Sequence, residues 1–319
     1  MKHLLLILAL AMSCSVDSEE NNGNILILDF DSTSDMGSST DTSLDASDGA
    51  DSTNEEAVTL IGSGEKKADS VSFVEILPAQ GFQASDLEFN PEDENQLWIL
   101  QRRKRSSATC TEADPSGCGA LVGYATILSN PGKDDQNMDR REDPNSWHFL
   151  RRPSALAFGD TGTWASCGEE RTGNYLDSAA DYMGPTLWSS DLNIFAKAPG
   201  AGLNGSHLDM LHETPFCVGI AHETENIYWL FNGDAGSIDK VDFAGDHGPG
   251  NDDHADGKVF RYAIGELLRV EDVPSGMHFD QKSKQLYVVD SGNKRIITLD
   301  TTTGTRGPAI VPLYEQLAD

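Results

Sequence analysis

One short pattern recurs four times along this chain, and it constrains the fold more than any other feature. Ala84-Ser85-Asp86-Leu87-Glu88-Phe89 leads through a turn to Gln96-Leu97-Trp98-Ile99-Leu100. Pro153-Ser154-Ala155-Leu156-Ala157-Phe158 leads through Gly159-Asp160-Thr161-Gly162 to Thr163-Trp164-Ala165-Ser166-Cys167. Pro215-Phe216-Cys217-Val218-Gly219-Ile220 leads to Asn226-Ile227-Tyr228-Trp229-Leu230-Phe231, and Pro274-Ser275-Gly276-Met277-His278-Phe279 to Gln285-Leu286-Tyr287-Val288-Val289-Asp290. Each unit reads as a strand, a tight polar turn and a second strand with Trp or Tyr near its start. Third strands follow at Ser237-Ile238-Asp239-Lys240-Val241-Asp242 and Arg295-Ile296-Ile297-Thr298-Leu299-Asp300. Helical periodicity is absent.

Small antiparallel sheets of this kind cannot bury both faces alone, but stacked radially they can, which predicts an all-β fold of β-propeller type. The last unit, Val273-Pro274-Ser275-Gly276-Met277-His278-Phe279-Asp280 followed by Leu286-Tyr287-Val288-Val289-Asp290-Ser291-Gly292-Asn293-Lys294-Arg295-Ile296, resembles an NHL repeat nearly throughout. The other three units are looser versions. The resemblance implies a propeller over residues 80–300 and leaves activity open, because NHL-type propellers bind, scaffold and catalyse. Four units are visible, and a ring of four to six blades is expected. The units begin roughly 60–70 residues apart, against the ~40–50 usual for a blade. Long loops or divergent blades account for the excess, and the stretch from Thr186 to His212 has room for further strands. The segment Ser72-Phe73-Val74-Glu75-Ile76-Leu77 is placed to complete the last blade and close the ring.

Three regions are expected: a signal segment at 1–14, a linker at 15–70 and the propeller at 71–319. Lys2 precedes the apolar run Leu4-Leu5-Leu6-Ile7-Leu8-Ala9-Leu10-Ala11, which is far short of the roughly 20 residues a spanning helix needs. Its end, Ala11-Met12-Ser13-Cys14, resembles a bacterial lipobox. That resemblance implies export and a lipid on Cys14, although Ala11 stands where the family prefers Leu and Met12 where it prefers a small residue. An ordinary secretory signal cleaved nearby is the alternative. Residues 31–56 are almost wholly Asp, Ser, Thr, Gly and Asn, a composition that cannot offset its ordering entropy and predicts an extended, disordered tether. The apolar island Ile25-Leu26-Ile27-Leu28 interrupts it.

Beyond Cys14 the cysteines are Cys110, Cys118, Cys167 and Cys217, an even number suited to an oxidising compartment. Four cysteines allow three pairings. Cys110 and Cys118 bracket a turn-rich stretch whose ends can meet, which leaves Cys167 with Cys217. No CxxC spacing supports metal binding by these thiols.

A net charge of -29 excludes nucleic acid as a partner, because phosphate binding needs a basic face. It also limits membrane contact to the N-terminal lipid. Divalent cations and basic partners suit this charge. No P-loop, dinucleotide fingerprint or nucleophile elbow is present, so no nucleotide cofactor is expected.

Histidine and aspartate crowd the third quarter of the chain. His207 and His212 lie in Gly-Ser-His-Leu-Asp-Met-Leu-His-Glu, His222 in Gly-Ile-Ala-His-Glu, and His247, Asp252, Asp253, His254 and Asp256 in the glycine-rich stretch 245–257. Imidazole and carboxylate are the usual ligands of zinc and copper, and clustered carboxylates those of calcium. The spacing matches no established zinc pattern, and Ala263 stands where an EF-hand needs its final glutamate. Solvated polar loops without a metal are the competing reading. Peptidyl-hydroxyglycine amidating lyases also resemble NHL repeats and hold zinc through a histidine after the repeat's proline. Ser154, Phe216 and Ser275 occupy that position here, which argues against that activity. Calcium-dependent lactonases of propeller fold offer a comparison, but none of their motif residues is matched. The basic run Arg102-Arg103-Lys104-Arg105 reads as a solvated turn, with contact to an anionic ligand as the alternative. The function expected is a protein- or small-molecule-binding module on a tether. The alternative is a metal-dependent hydrolase or lyase.

Overall fold

The computed structural model describes residues 75–78, 80–104, 121–160, 162–173, 183–200, 204–253 and 255–305. Cys14, Cys110, Cys118, His254 and the linker 15–70 lie outside them. Fifteen strands and a single helical turn make up the described elements. The first sheet contains β1 (Gln83–Phe89), β2 (Gln96–Lys104), β3 (Leu121–Ser129) and β4 (Asn137–Arg141). After the turn α1 (Ser146–Phe149), the second contains β5 (Pro153–Phe158), β6 (Thr163–Gly168), β7 (Thr186–Ser189) and β8 (His207–Met210). The third is β9 (Cys217–Thr224), β10 (Ile227–Asn232), β11 (Ser237–Asp242) and β12 (Lys258–Tyr262). The fourth has three strands, β13 (Met277–Asp280), β14 (Gln285–Asp290) and β15 (Arg295–Asp300). Every sheet is an antiparallel meander in chain order. The first strands β1, β5, β9 and β13 approach one another in succession, as the inner strands of propeller blades do. The extra strands expected between 186 and 212 are β7 and β8.

Period-two alternation explains the packing. Trp98 and Leu100 share one apolar cluster with Leu156, Phe158, Trp164 and Trp188. The residues between them turn the other way: Ala165 and Leu187 pack with Tyr228, Leu230 and Val241 of the third sheet. Trp229 and Phe231 in turn pack with Phe279, Leu286 and Val288 of the fourth. Each middle sheet is therefore apolar on both faces, and large rings fill the gaps between sheets. Trp98, Trp164 and Trp188 are fully buried.

Among the described residues no apolar cluster is shared by the first and fourth sheets. Leu97, Ile99 and Leu128, on the remaining face of the first sheet, pack with Ile76, Leu77 and Leu87. The described end of the 72–77 segment thus forms no strand on the last sheet. It lies on the first, where Gln136 Nε2 donates to the Ile76 carbonyl at 2.9 Å. The fourth sheet leaves Ile296 62% exposed. Asp272, in the connection from β12 to β13, gathers two arginines: Arg102 Nη2 on β2 and Arg152 Nη2 just before β5 lie 3.0 and 2.9 Å from its Oδ1. Arg102 is buried, so the solvated turn expected for the 102–105 run is corrected at its first residue. Its head meets the Asp272 carboxylate, which stands in the connection between β12 and β13. Arg103 and Lys104 are exposed.

Cys167 at the end of β6 and Cys217 at the start of β9 form a disulfide with Cα atoms 5.5 Å apart, stapling the second sheet to the third. No helix among the described residues is long and apolar enough to cross a membrane.

Candidate metal centre

The outer edge of the second sheet carries the one described group of at least three His, Cys, Asp or Glu side chains that can hold a metal ion: Asp209, His247 and Asp256. Asp209 lies on β8, all four residues of which are buried. Leu187 pairs with Asp209 and Trp188 with His207, so Leu208 is an extra residue in a bulge. The bulge reverses the normal alternation. Leu208 packs in the cluster shared with the third sheet and Met210 in that shared with the first, although residues two apart on a regular strand share a face. Just before β8, Ser206 donates through its amide and hydroxyl to Asp143 Oδ2 at 2.8 and 2.7 Å, which fixes the start of the strand.

The β11–β12 connection folds over this edge. Gly250 N–H donates to the His207 carbonyl at 2.7 Å, and His247 N–H to the Leu208 carbonyl at 3.3 Å. Gly248 and Gly250 have φ of 81° and 80°, a region glycine enters without strain. Gly257 lies so close that a Cβ there would stand 2.6 Å from Leu211 Cδ2. The glycines noted in the sequence thus let the loop press onto β8 and aim its side chains inward.

Within the site, His247 Nε2 lies 3.4 Å from Asp256 Oδ2 and 3.9 Å from Asp209 Oδ2. Ligands about 2.0–2.2 Å from a tetrahedral metal are separated by about 3.3–3.6 Å, so small rotations bring all three onto one ion. Asp209 Oδ2 and His247 Nε2 are buried without a hydrogen-bond partner, an arrangement that is costly unless another group satisfies them. Burial pushes the Asp209 carboxyl up to about 8. The Met210 amide opposes this and the charges of Asp256 and Asp252 reinforce it. A cation would offset that repulsion.

The remaining predicted ligands fall into two groups. His207, fully buried, stacks on Phe149 with ring centroids 3.6 Å apart, and its Nε2 lies 3.6 Å from Asp252 Oδ2. Asp253 N–H donates to Asp209, while Asp253 Oδ1 accepts from Ala255 N–H at 3.1 Å in a turn. His212 and His222 lie outside the cluster. His222 is on β9, where Nε2 lies 2.9 Å from the Glu225 carbonyl and Nδ1 3.8 Å from Asp160. Sequence reasoning passed over Asp209, a carboxylate set among apolar residues in His-Leu-Asp-Met. That placement was itself a signal, because an aspartate in a wholly buried strand needs a partner.

No family model and no curated protein matches the chain. Solved structures similar to it include hydrazine synthase from Kuenenia stuttgartiensis, at 11% identity and TM-score 0.37 over 67% of this chain and 58% of that one. Virginiamycin B lyase from Staphylococcus aureus aligns at 10% identity and TM-score 0.34 over 72% and 73% of the two chains. RS223 β-xylosidase aligns at 13% and 0.36 over 65% and 64%.

Proposed function

We propose that this chain is an exported, lipid-anchored β-propeller that binds a divalent cation at Asp209, His247 and Asp256 and serves as a binding module on an extended tether. The observation that carries the metal reading is the pair of buried, unpartnered ligand atoms, Asp209 Oδ2 and His247 Nε2, facing one another. An imidazole among the carboxylates favours zinc or copper over calcium, which takes oxygen ligands. The Cys167–Cys217 disulfide supports an oxidising compartment, and the lipobox-like end at Cys14 supports the anchor. A metal-dependent hydrolase or lyase is the second reading. It is favoured by the partial exposure of Asp256 and His247, at 36% and 22% of their side chains, which leaves an ion there open to solvent.

Metal analysis of the purified chain tests the proposal. Stoichiometric zinc or copper that a chelator removes, with a fall in melting temperature, is the expected result. A metal-free protein whose melting temperature no divalent cation raises would overturn it. For the anchor, wild type should partition into detergent and Cys14→Ala into the aqueous phase.

A further inference from the structure

We infer that a second cation position lies beside the first, between His207 and Asp252. This inference rests on the metal-binding reading above and extends it. His207 is fully buried, and its Nδ1 lies 2.6 Å from the Asn204 carbonyl. A carbonyl only accepts, so Nδ1 carries the proton, and in the neutral ring Nε2 presents a bare lone pair. This carbonyl-oriented tautomer is the one in which metal-ligating histidines are held. Nε2 has no hydrogen-bond partner, and what it faces at 3.6 Å is the carboxylate of Asp252. With the ring neutral, two acceptor atoms at that separation match the edge of a coordination polyhedron at metal–ligand distances of about 2.0–2.2 Å.

The surroundings fit the same reading. Phe149 stacked on the ring prevents it from turning away. The Gly250 amide bonded to the His207 carbonyl and the Asp253 amide bonded to Asp209 hold residues on either side of Asp252 against β8. The Asp252 side chain is 42% exposed, so water can complete the coordination. Asp209 lies two residues from His207 on the same buried strand, with His247 Nε2 3.9 Å from its Oδ2. Two cations with an open side can bind a substrate oxygen and an attacking water together, and this arrangement favours the hydrolase reading over a purely structural ion.

Counting cations decides the matter. The purified full-length protein, stripped with chelator, is titrated with zinc against a chromophoric competitor. Two variants are titrated beside it: His207→Phe, which keeps a ring on Phe149, and Asp252→Asn, which keeps the solvent-facing shape. Near-UV circular dichroism confirms that each is folded. The expected result is two zinc ions per wild-type chain and one per chain in either variant. One ion in the wild type means that His207 and Asp252 form only an ion pair, and it overturns the second position while leaving the first. Two ions retained in the folded Asp252→Asn chain also overturn it. No zinc in any chain sinks the metal-binding reading itself.

Discussion

The Glu88 carboxylate on β1 accepts a hydrogen bond from the Phe158 amide on β5 at 2.9 Å, so a side chain of the first sheet caps the inner edge of the second. Asp86 does the same for the Leu156 amide at 2.9 Å. Two residues apart, the carboxylates lie on one face of β1 and satisfy edge amides that no strand pairs. They do so in a confined space. Burial pushes the Asp86 carboxyl up to about 7 and that of Glu88 up to about 8, against the amide bonds that lower both; the charge of Asp86 raises Glu88 further.

That relationship predicts a pH dependence. The folded chain holds a proton on Glu88 that the unfolded chain, with a carboxyl near 4.5, releases. This contribution is therefore complete below about pH 4.5 and is lost as pH rises toward about 8. In Glu88→Gln the amide oxygen still accepts from Phe158, but nothing titrates. Relative to wild type the variant should gain about 3–4 kcal/mol between pH 5 and pH 8. Urea unfolding at the two pH values measures this, and parallel pH profiles for the two proteins would refute it.

The Cys167–Cys217 bridge closes a loop with a sequence separation of 50. In the chain-entropy treatment, losing such a bridge costs roughly 4 kcal/mol. Cys167→Ala with Cys217→Ala should shift the urea midpoint down accordingly, and reductant should reproduce the loss in wild type. A midpoint insensitive to both would mean that the packing of the second sheet on the third holds alone.

At the metal centre, Asp209→Asn should have two opposite effects. Replacing a carboxyl whose ionisation is opposed by burial and by the charges of Asp256 and Asp252 leaves the metal-free protein as stable as wild type or more so. It also abolishes the zinc-dependent rise in melting temperature, which for wild type at a hundredfold excess over Kd corresponds to about 2.7 kcal/mol. His247→Ala should lose the zinc response without that stabilisation. Calorimetric scans with and without zinc separate the two, and a zinc response retained by both variants rules out these ligands.

Glu169, 1% exposed, accepts from Arg269 Nη1 at 2.6 Å and from the Asp272 amide at 3.0 Å, with Arg102 Nη1 3.8 Å away. Removing one partner from a buried pair leaves an uncompensated charge. Arg269→Met should destabilise by about 3 kcal/mol, and adding Glu169→Gln should recover part of the loss. A double-mutant cycle in urea measures the coupling, and simple additivity would show that the pair contributes nothing specific.

The repeats determined much by themselves. Alternating apolar residues around Trp98, Trp164 and Trp229 place successive side chains on opposite faces of a strand, and four such units leave few ways to bury them. The glycine-rich loop at 245–257 was likewise legible as a concentration of ligand-type residues. What the local pattern could not carry was contact between distant segments. Asp209 became a ligand candidate only because the third sheet lays its loop over β8, and His222 dropped out because its own strand carries it elsewhere. Arg102 looks solvated in a run of four basic residues, yet it is buried because Asp272, 170 positions away, is brought to it by the succession of sheets. Periodicity is a property of neighbours along the chain, whereas electrostatic partners are chosen by proximity in space, and only the tertiary structure decides that.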